Sequence, residues 1–115
     1  MPHIKLEYTK NLDIKEPKIL VDKIINILFE IIKIKPQNCR FKFFKLENHL
    51  SNIYTGFIHL EVSLIEGRKA NKKKEAAFKC IEIIKKELTN KDIYKIPISI
   101  EFRDMNKQEY FSNTL

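Results

Sequence analysis

Residues 57–68 read Phe57-Ile58-His59-Leu60-Glu61-Val62-Ser63-Leu64-Ile65-Glu66-Gly67-Arg68. Up to Ile65 the stretch alternates: Ile58, Leu60, Val62 and Leu64 fall on one face and His59, Glu61 and Ser63 on the other. That is the period of a strand with one face in a core, and Gly67 marks its end. Downstream, Ala70, Ala77, Ile81, Ile84 and Leu88 recur at helical spacing, with Ala76, Cys80 and Ile83 beside them. After Pro97 a further strand sets Ile98, Ile100 and Phe102 against Ser99, Glu101 and Arg103. Upstream the same unit is written once more. Ile4, Lys5, Leu6, Glu7 and Tyr8 alternate as a strand; Pro17 stands where a helix would begin, and Leu20, Val21, Ile24, Ile27, Leu28, Ile31 and Ile32 carry the helical period until Pro36 ends it. Phe41 and Phe43 then alternate with Arg40 and Lys42 in a strand running to about Leu46. The polar segment from Glu47 to Thr55 has no period and reads as a loop.

Strand, helix, strand, twice over, predicts an α+β fold: a doubled β-α-β unit with a four-stranded mixed sheet and both helices on one face, because right-handed crossovers put the helices of two pseudo-symmetric halves on the same side. The other face carries Lys5, Glu7, His59, Glu61 and Ser63, which suits a wet interior or a subunit contact. Ferredoxin-like binding modules share this order of elements, so the pattern by itself leaves the function open.

At 115 residues, 43% of them hydrophobic and periodically spread, the chain has material for one core, and nothing divides it; a single domain over 1–115 is expected. It begins without an apolar run of signal-peptide length and nowhere reaches the roughly 18 apolar residues of a membrane span, so a cytoplasmic protein is expected. Cys39 and Cys80 are too few for a disulfide framework and read as small core residues. His3, His49 and His59 show no ligand spacing with each other or with the cysteines, and no metal is expected. The net charge of +7 points to an anionic partner. Its densest run, Arg68-Lys69-Ala70-Asn71-Lys72-Lys73-Lys74, fits either a phosphate-contacting patch or the solvated face of a helix start. Because the lysine excess is scattered through a chain also rich in Ile and Asn, the second reading is preferred, with neither nucleic acid nor membrane as partner.

The start, Met1-Pro2-His3, carries the chemistry. Proline is the residue whose free α-amine is secondary, and a small residue after the initiator normally lets the methionine be removed. Without Met1, Pro2 would be a base fixed at the start of a strand. The plainer reading is that Pro2 only begins that strand, where its missing N–H costs nothing.

Met1-Pro2-His3-Ile4 with Glu7-Tyr8 and Asn11-Leu12, then Asn38-Cys39-Arg40, then Phe57 to Val62 leading into Glu66-Gly67-Arg68 resemble the 5-carboxymethyl-2-hydroxymuconate delta-isomerase family of the tautomerase superfamily. The likeness runs from Pro2 to about Phe111. It implies a homotrimer with the sheets turned toward the threefold axis, the N-terminal proline as acid/base near a subunit boundary, no cofactor, and an anionic small-molecule substrate with several carboxylates. Arg40 and Arg68 align with arginines that the family uses for those carboxylates, and a guanidinium fork suits the task; Arg103 has no such match. Arg68 precedes a helix start, where the helix dipole disfavours a cation, which adds to a functional reading. Two features depart from the family: Lys42 stands where relatives have a second arginine, and the tail Tyr110–Leu115 is short. His3 matches the family opening but is read as structural.

Ketonising a dienol removes a proton from oxygen and returns one to a distant carbon of the same conjugated system. One group does both if its pKa lies near neutrality, and an α-amine, at roughly 7.7 to 8.0 and lowered by burial or nearby cations, qualifies. The other readings are a tautomerase acting on phenylpyruvate-like enols or halogenated acrylates, and a ferredoxin-like module binding nucleic acid or anions.

Overall fold

The computed structural model describes residues 2–9, 12, 14, 16–47, 56–88 and 96–115. Met1 and residues 48–55, most of the expected loop, lie outside them. The elements follow the expected order: β1 (His3–Thr9), α1 (Pro17–Ile32), β2 (Arg40–Leu46), β3 (Ile58–Ile65), α2 (Ala70–Glu87) and β4 (Ile98–Met105), with 3-10 turns at Pro36–Asn38 and Lys107–Glu109. The sheet order is β2-β1-β3-β4. β1 runs parallel to β2 and antiparallel to β3, and β3 runs parallel to β4. Each β-α-β half thus forms one parallel pair, and the halves join along β1 and β3.

The alternation read from the sequence decides which face is covered. Ile4 and Leu6 of β1 stand opposite Val62 and Leu60 of β3, and these four, with Ile58 and Leu64, are almost wholly buried. Against them lies one stripe of α1, Leu20, Ile24, Leu28 and Ile32, spaced four apart. Each such side chain contributes about 1.5–3 kcal/mol by leaving water. Pro17 occupies the first turn of α1 and needs no hydrogen bond there. At its other end Lys33 adopts the left-handed conformation, φ 58°, and its Nζ donates to the Glu30 carbonyl at 2.8 Å. The chain then turns through Pro36–Asn38 into β2.

α2 differs in phase from the expected stripe. Its buried residues are Ala76, Cys80 and Ile84; Ala77, Ile81, Ile83 and Leu88 are half-buried and Ala70 is exposed. Small side chains at Ala76 and Cys80 let the helix approach the core closely, which the larger residues beside them do not. Lys73 ties the start of α2 to β4 through Asp104 at 2.7 Å. Among the described residues no helix is long and apolar enough to cross a membrane.

The uncovered face carries a chain of charges. Lys5 lies 3.8 Å from Glu7 and 3.9 Å from Glu61, and Arg103 lies 3.6 Å from Glu61 and 3.1 Å from Glu101. Such pairs are solvated and individually weak, so they organise this face more than they stabilise it.

Candidate active site

The site grows from the start of β1. His3 pairs in register with Arg40, and the Arg40 amide donates to the Pro2 carbonyl at 3.0 Å. The parallel pairing of β1 and β2 therefore begins at Pro2 itself. Successive residues of a strand face opposite ways: Pro2, which is buried, lines a cavity of about 290 Å³ on the helix side, while His3 lies on the open face of the sheet.

Three other segments close that cavity. The α1–β2 connection supplies Lys33, Ile34, Lys35 and Asn38, the end of β3 supplies Leu64 and Ile65, and Arg68 follows from the turn at Gly67. Gly67 has φ +120°, a conformation that favours glycine, and it turns the chain so that Arg68 points back beneath β3. The guanidinium donates through Nη1 to the Ile65 carbonyl at 2.9 Å and through Nε to the Ile32 carbonyl at 3.4 Å. Of its five N–H donors, three are outside these two bonds.

This placement corrects the electrostatic argument from sequence. Arg68 precedes α2 along the chain, yet its side chain sits at the C-terminal end of α1, where a cation is favoured rather than disfavoured. Its two carbonyl bonds give it a structural role in holding α1 to β3. They also fix the fork beside Pro2, so the structural and the binding reading coexist.

Of the expected site residues, then, Pro2 and Arg68 meet around one cavity. Arg40 does not line it. Its side chain is exposed on the open face, with Nη1 3.5 Å from the Asn38 carbonyl. The basic run also divides: Arg68 turns inward, Lys73 pairs with Asp104, and Lys69, Lys72 and Lys74 are exposed. Sequence reasoning missed Lys33 and Lys35, which add positive charge to the cavity wall. Nothing in Lys33-Ile34-Lys35-Pro36 marks them, because lysines flanking a helix stop are ordinary; only the topology sets them beside Pro2.

His3 is also better placed than sequence indicated. Its Nε2 lies 2.8 Å from the hydroxyl of Tyr110, with the rings tilted at a centroid distance of 5.8 Å. Burial, with the positive charges of Arg40, Lys42 and the amino terminus, lowers its pKa below the ordinary value. His59 bonds Ser99 Oγ through Nδ1 at 2.6 Å, and its ring approaches Glu61 and Glu101 closely enough for the three to share an ion. The carboxylates there already face Arg103 and Lys5, so the cluster reads as part of the ion-pair chain. Burial raises the pKa of both thiols, that of Cys80 to about 12, which leaves them protonated and poor nucleophiles near neutral pH.

Comparison with known proteins bears on this geometry. The family model for 5-carboxymethyl-2-hydroxymuconate isomerase matches residues 2–115. No curated protein matches by sequence. Among solved structures, a 5-carboxymethyl-2-hydroxymuconate isomerase from Deinococcus radiodurans is similar with a TM-score of 0.81 at 20% identity, over 99% of this chain and 90% of that one. A fused 4-OT protein described as a symmetric trimer gives 0.80 at 10% identity, over 96% and 93% of the two chains. A macrophage migration inhibitory factor-like protein from Entamoeba histolytica gives 0.74 at 12% identity, over 97% and 95%. The four-stranded sheet with its two helices is the fold of these tautomerase-superfamily proteins.

Proposed function

The chain belongs to the 5-carboxymethyl-2-hydroxymuconate isomerase family and is an isomerase of the tautomerase superfamily; from that premise we propose that it works without a cofactor on a 2-hydroxymuconate-type dienol bearing several carboxylates, converting it to the conjugated ketone. The observation that carries this reading is that Pro2 and Arg68 line one cavity. With Met1 removed, the Pro2 amine takes the proton from the dienol oxygen and delivers one to the far carbon of the conjugated system, so no net proton is consumed. The Arg68 donors outside its two carbonyl bonds hold one carboxylate, and Lys33 and Lys35 add attraction for the remaining charge. Arg40, exposed on the open face, serves a carboxylate at the boundary with a neighbouring subunit in a homotrimer. The surrounding cations disfavour a protonated amine and lower its pKa, which keeps the base competent near neutral pH.

An ultraviolet assay across dienols with one, two and three carboxylates, on protein whose N-terminus has been verified by mass spectrometry, tests the proposal. Active protein should lack Met1, since a retained methionine turns the amine into an amide without useful basicity. Pro2→Ala should lose most of its rate. Arg68→Ala and Arg40→Ala should each lower kcat/KM toward a dicarboxylate by the equivalent of about 1.5–3 kcal/mol, with Lys72→Ala near wild type. The acid limb of kcat/KM is expected at about pH 6 to 7, and it should survive His59→Gln. Full activity with Met1 in place would refute the mechanism; faster turnover of a monocarboxylate would point to a different tautomerase.

A further inference from the structure

The first residue of a strand is where pairing frays, yet the proposed base is that residue's immediate neighbour. A displacement of about 1 Å at a reacting group costs on the order of 10²-fold in rate, so something must hold this end. Within the sheet β1 is paired on both sides there, His3 standing in register with Arg40 of β2 and with Ser63 of β3, while Pro2, one residue further out, is tied through its carbonyl to the Arg40 amide at 3.0 Å. On the open face, the C-terminal segment supplies a further hold. β4 ends at Met105, whose carbonyl accepts from the Glu66 amide at 3.1 Å; Asn106 Oδ1 then caps the turn Lys107–Glu109 by accepting from the Gln108 amide at 2.9 Å. This ordered turn carries the chain past the end of β3 and delivers the Tyr110 hydroxyl to His3 Nε2 at 2.8 Å. Both side chains are partly buried although they are 107 residues apart in sequence.

We propose that His3 and Tyr110 are a positioning pair: the C-terminal segment acts as a strap that grips His3 from behind the sheet and so fixes Pro2 in the cavity on the opposite face. The bond is open to either neutral tautomer, with the hydroxyl donating to a bare Nε2 or accepting from an Nε2–H. Neither residue touches substrate in this scheme; their effect passes through the backbone between residues 2 and 3. The inference rests on the proposed role of Pro2 for its catalytic consequence, but its structural half stands apart from it.

The test pairs a measurement of fraying with kinetics on the processed enzyme. The Arg40 amide, which reports the Pro2 carbonyl directly, should exchange with solvent about two- to tenfold faster in Tyr110→Phe and His3→Ala. In the same variants kcat should fall about two- to tenfold with KM within a factor of two, and the double variant should be no worse than either single one. His3→Gln, which keeps a hydrogen-bonding side chain, should restore both readouts toward wild type. Unchanged exchange in Tyr110→Phe, a variant that keeps the ring and should fold, would overturn the proposal. So would faster exchange with unchanged kcat, or a rise in KM alone, which would make the pair a substrate contact. An active Pro2→Ala enzyme would instead remove the catalytic role of the amine, and the exchange result would still decide whether the strap exists.

Discussion

His3 illustrates how a residue's charge state becomes a property of the fold. Burial first, then Arg40, Lys42 and the amino terminus, lowers its pKa from 6.5, so below that value the unfolded chain binds a proton that the folded chain resists. Stability contributed by keeping this imidazole neutral is present above about pH 6.5 and is lost as the pH falls through the lower folded value. His3→Gln removes the titration. The drop in melting temperature between pH 7 and pH 5 should therefore be smaller in His3→Gln than in wild type; an equal drop in both would show that other groups carry the acid sensitivity. Little of this was legible in Met1-Pro2-His3, because the burial and the β2 cations that set the histidine's state are brought to it by the fold. Pro2 could be singled out as a candidate from the sequence, since the reason for choosing it lies in its own nitrogen and its place in the chain, and the fold sets it at the cavity wall.

At the scale of elements, the turn from β3 into α2 shows a single conformation controlling a site. A Cβ on Gly67 would meet nothing within 4 Å, so space does not exclude a side chain there. The backbone does: at φ +120° an L-residue is strained by about 1–3 kcal/mol. Gly67→Ala should lower stability in urea by about that amount and, by moving Arg68, raise KM for a dicarboxylate more than a surface substitution of equal stability cost. Loss of stability with unchanged KM would mean that Arg68 finds its place independently of the turn. The strands and α1 could be read from the sequence because their apolar residues keep one period with little competition. The phase of α2 could not. Its apolar residues, from Ala70 through Ala76, Ala77, Phe78 and Cys80 to Ile84, cover too wide an arc to define one stripe, and close packing through Ala76 and Cys80 chose among them while leaving Phe78 exposed. The direction of Arg68 was hidden for a related reason: the helix it caps is not the helix it precedes.

For the whole molecule, the open sheet face, the two edge strands β2 and β4, and exposed Phe44 on β2 are what closed cyclic assembly would cover. Light scattering at micromolar concentration should give three times the mass of the chain, and a stable monomer would count against the placement of Arg40 at a shared boundary. With +7 on each chain, kcat/KM for a polyanionic dienol should fall as salt is raised, through slower encounter; a flat salt profile would confine the useful charge to the cavity. The doubling of the β-α-β unit has one more consequence, which concerns arithmetic rather than geometry. β1 and β3 are antiparallel equivalents, and the helix-facing place that Pro2 holds two residues ahead of Ile4 belongs, in the second half, to Gly56, buried two residues ahead of Ile58. The nitrogen of Gly56 is locked in a peptide bond. Two half-units folded alike thus offer a single α-amine, so a reagent directed at the proposed base should saturate at one equivalent per chain, and the second half widens the scaffold without supplying a second such base.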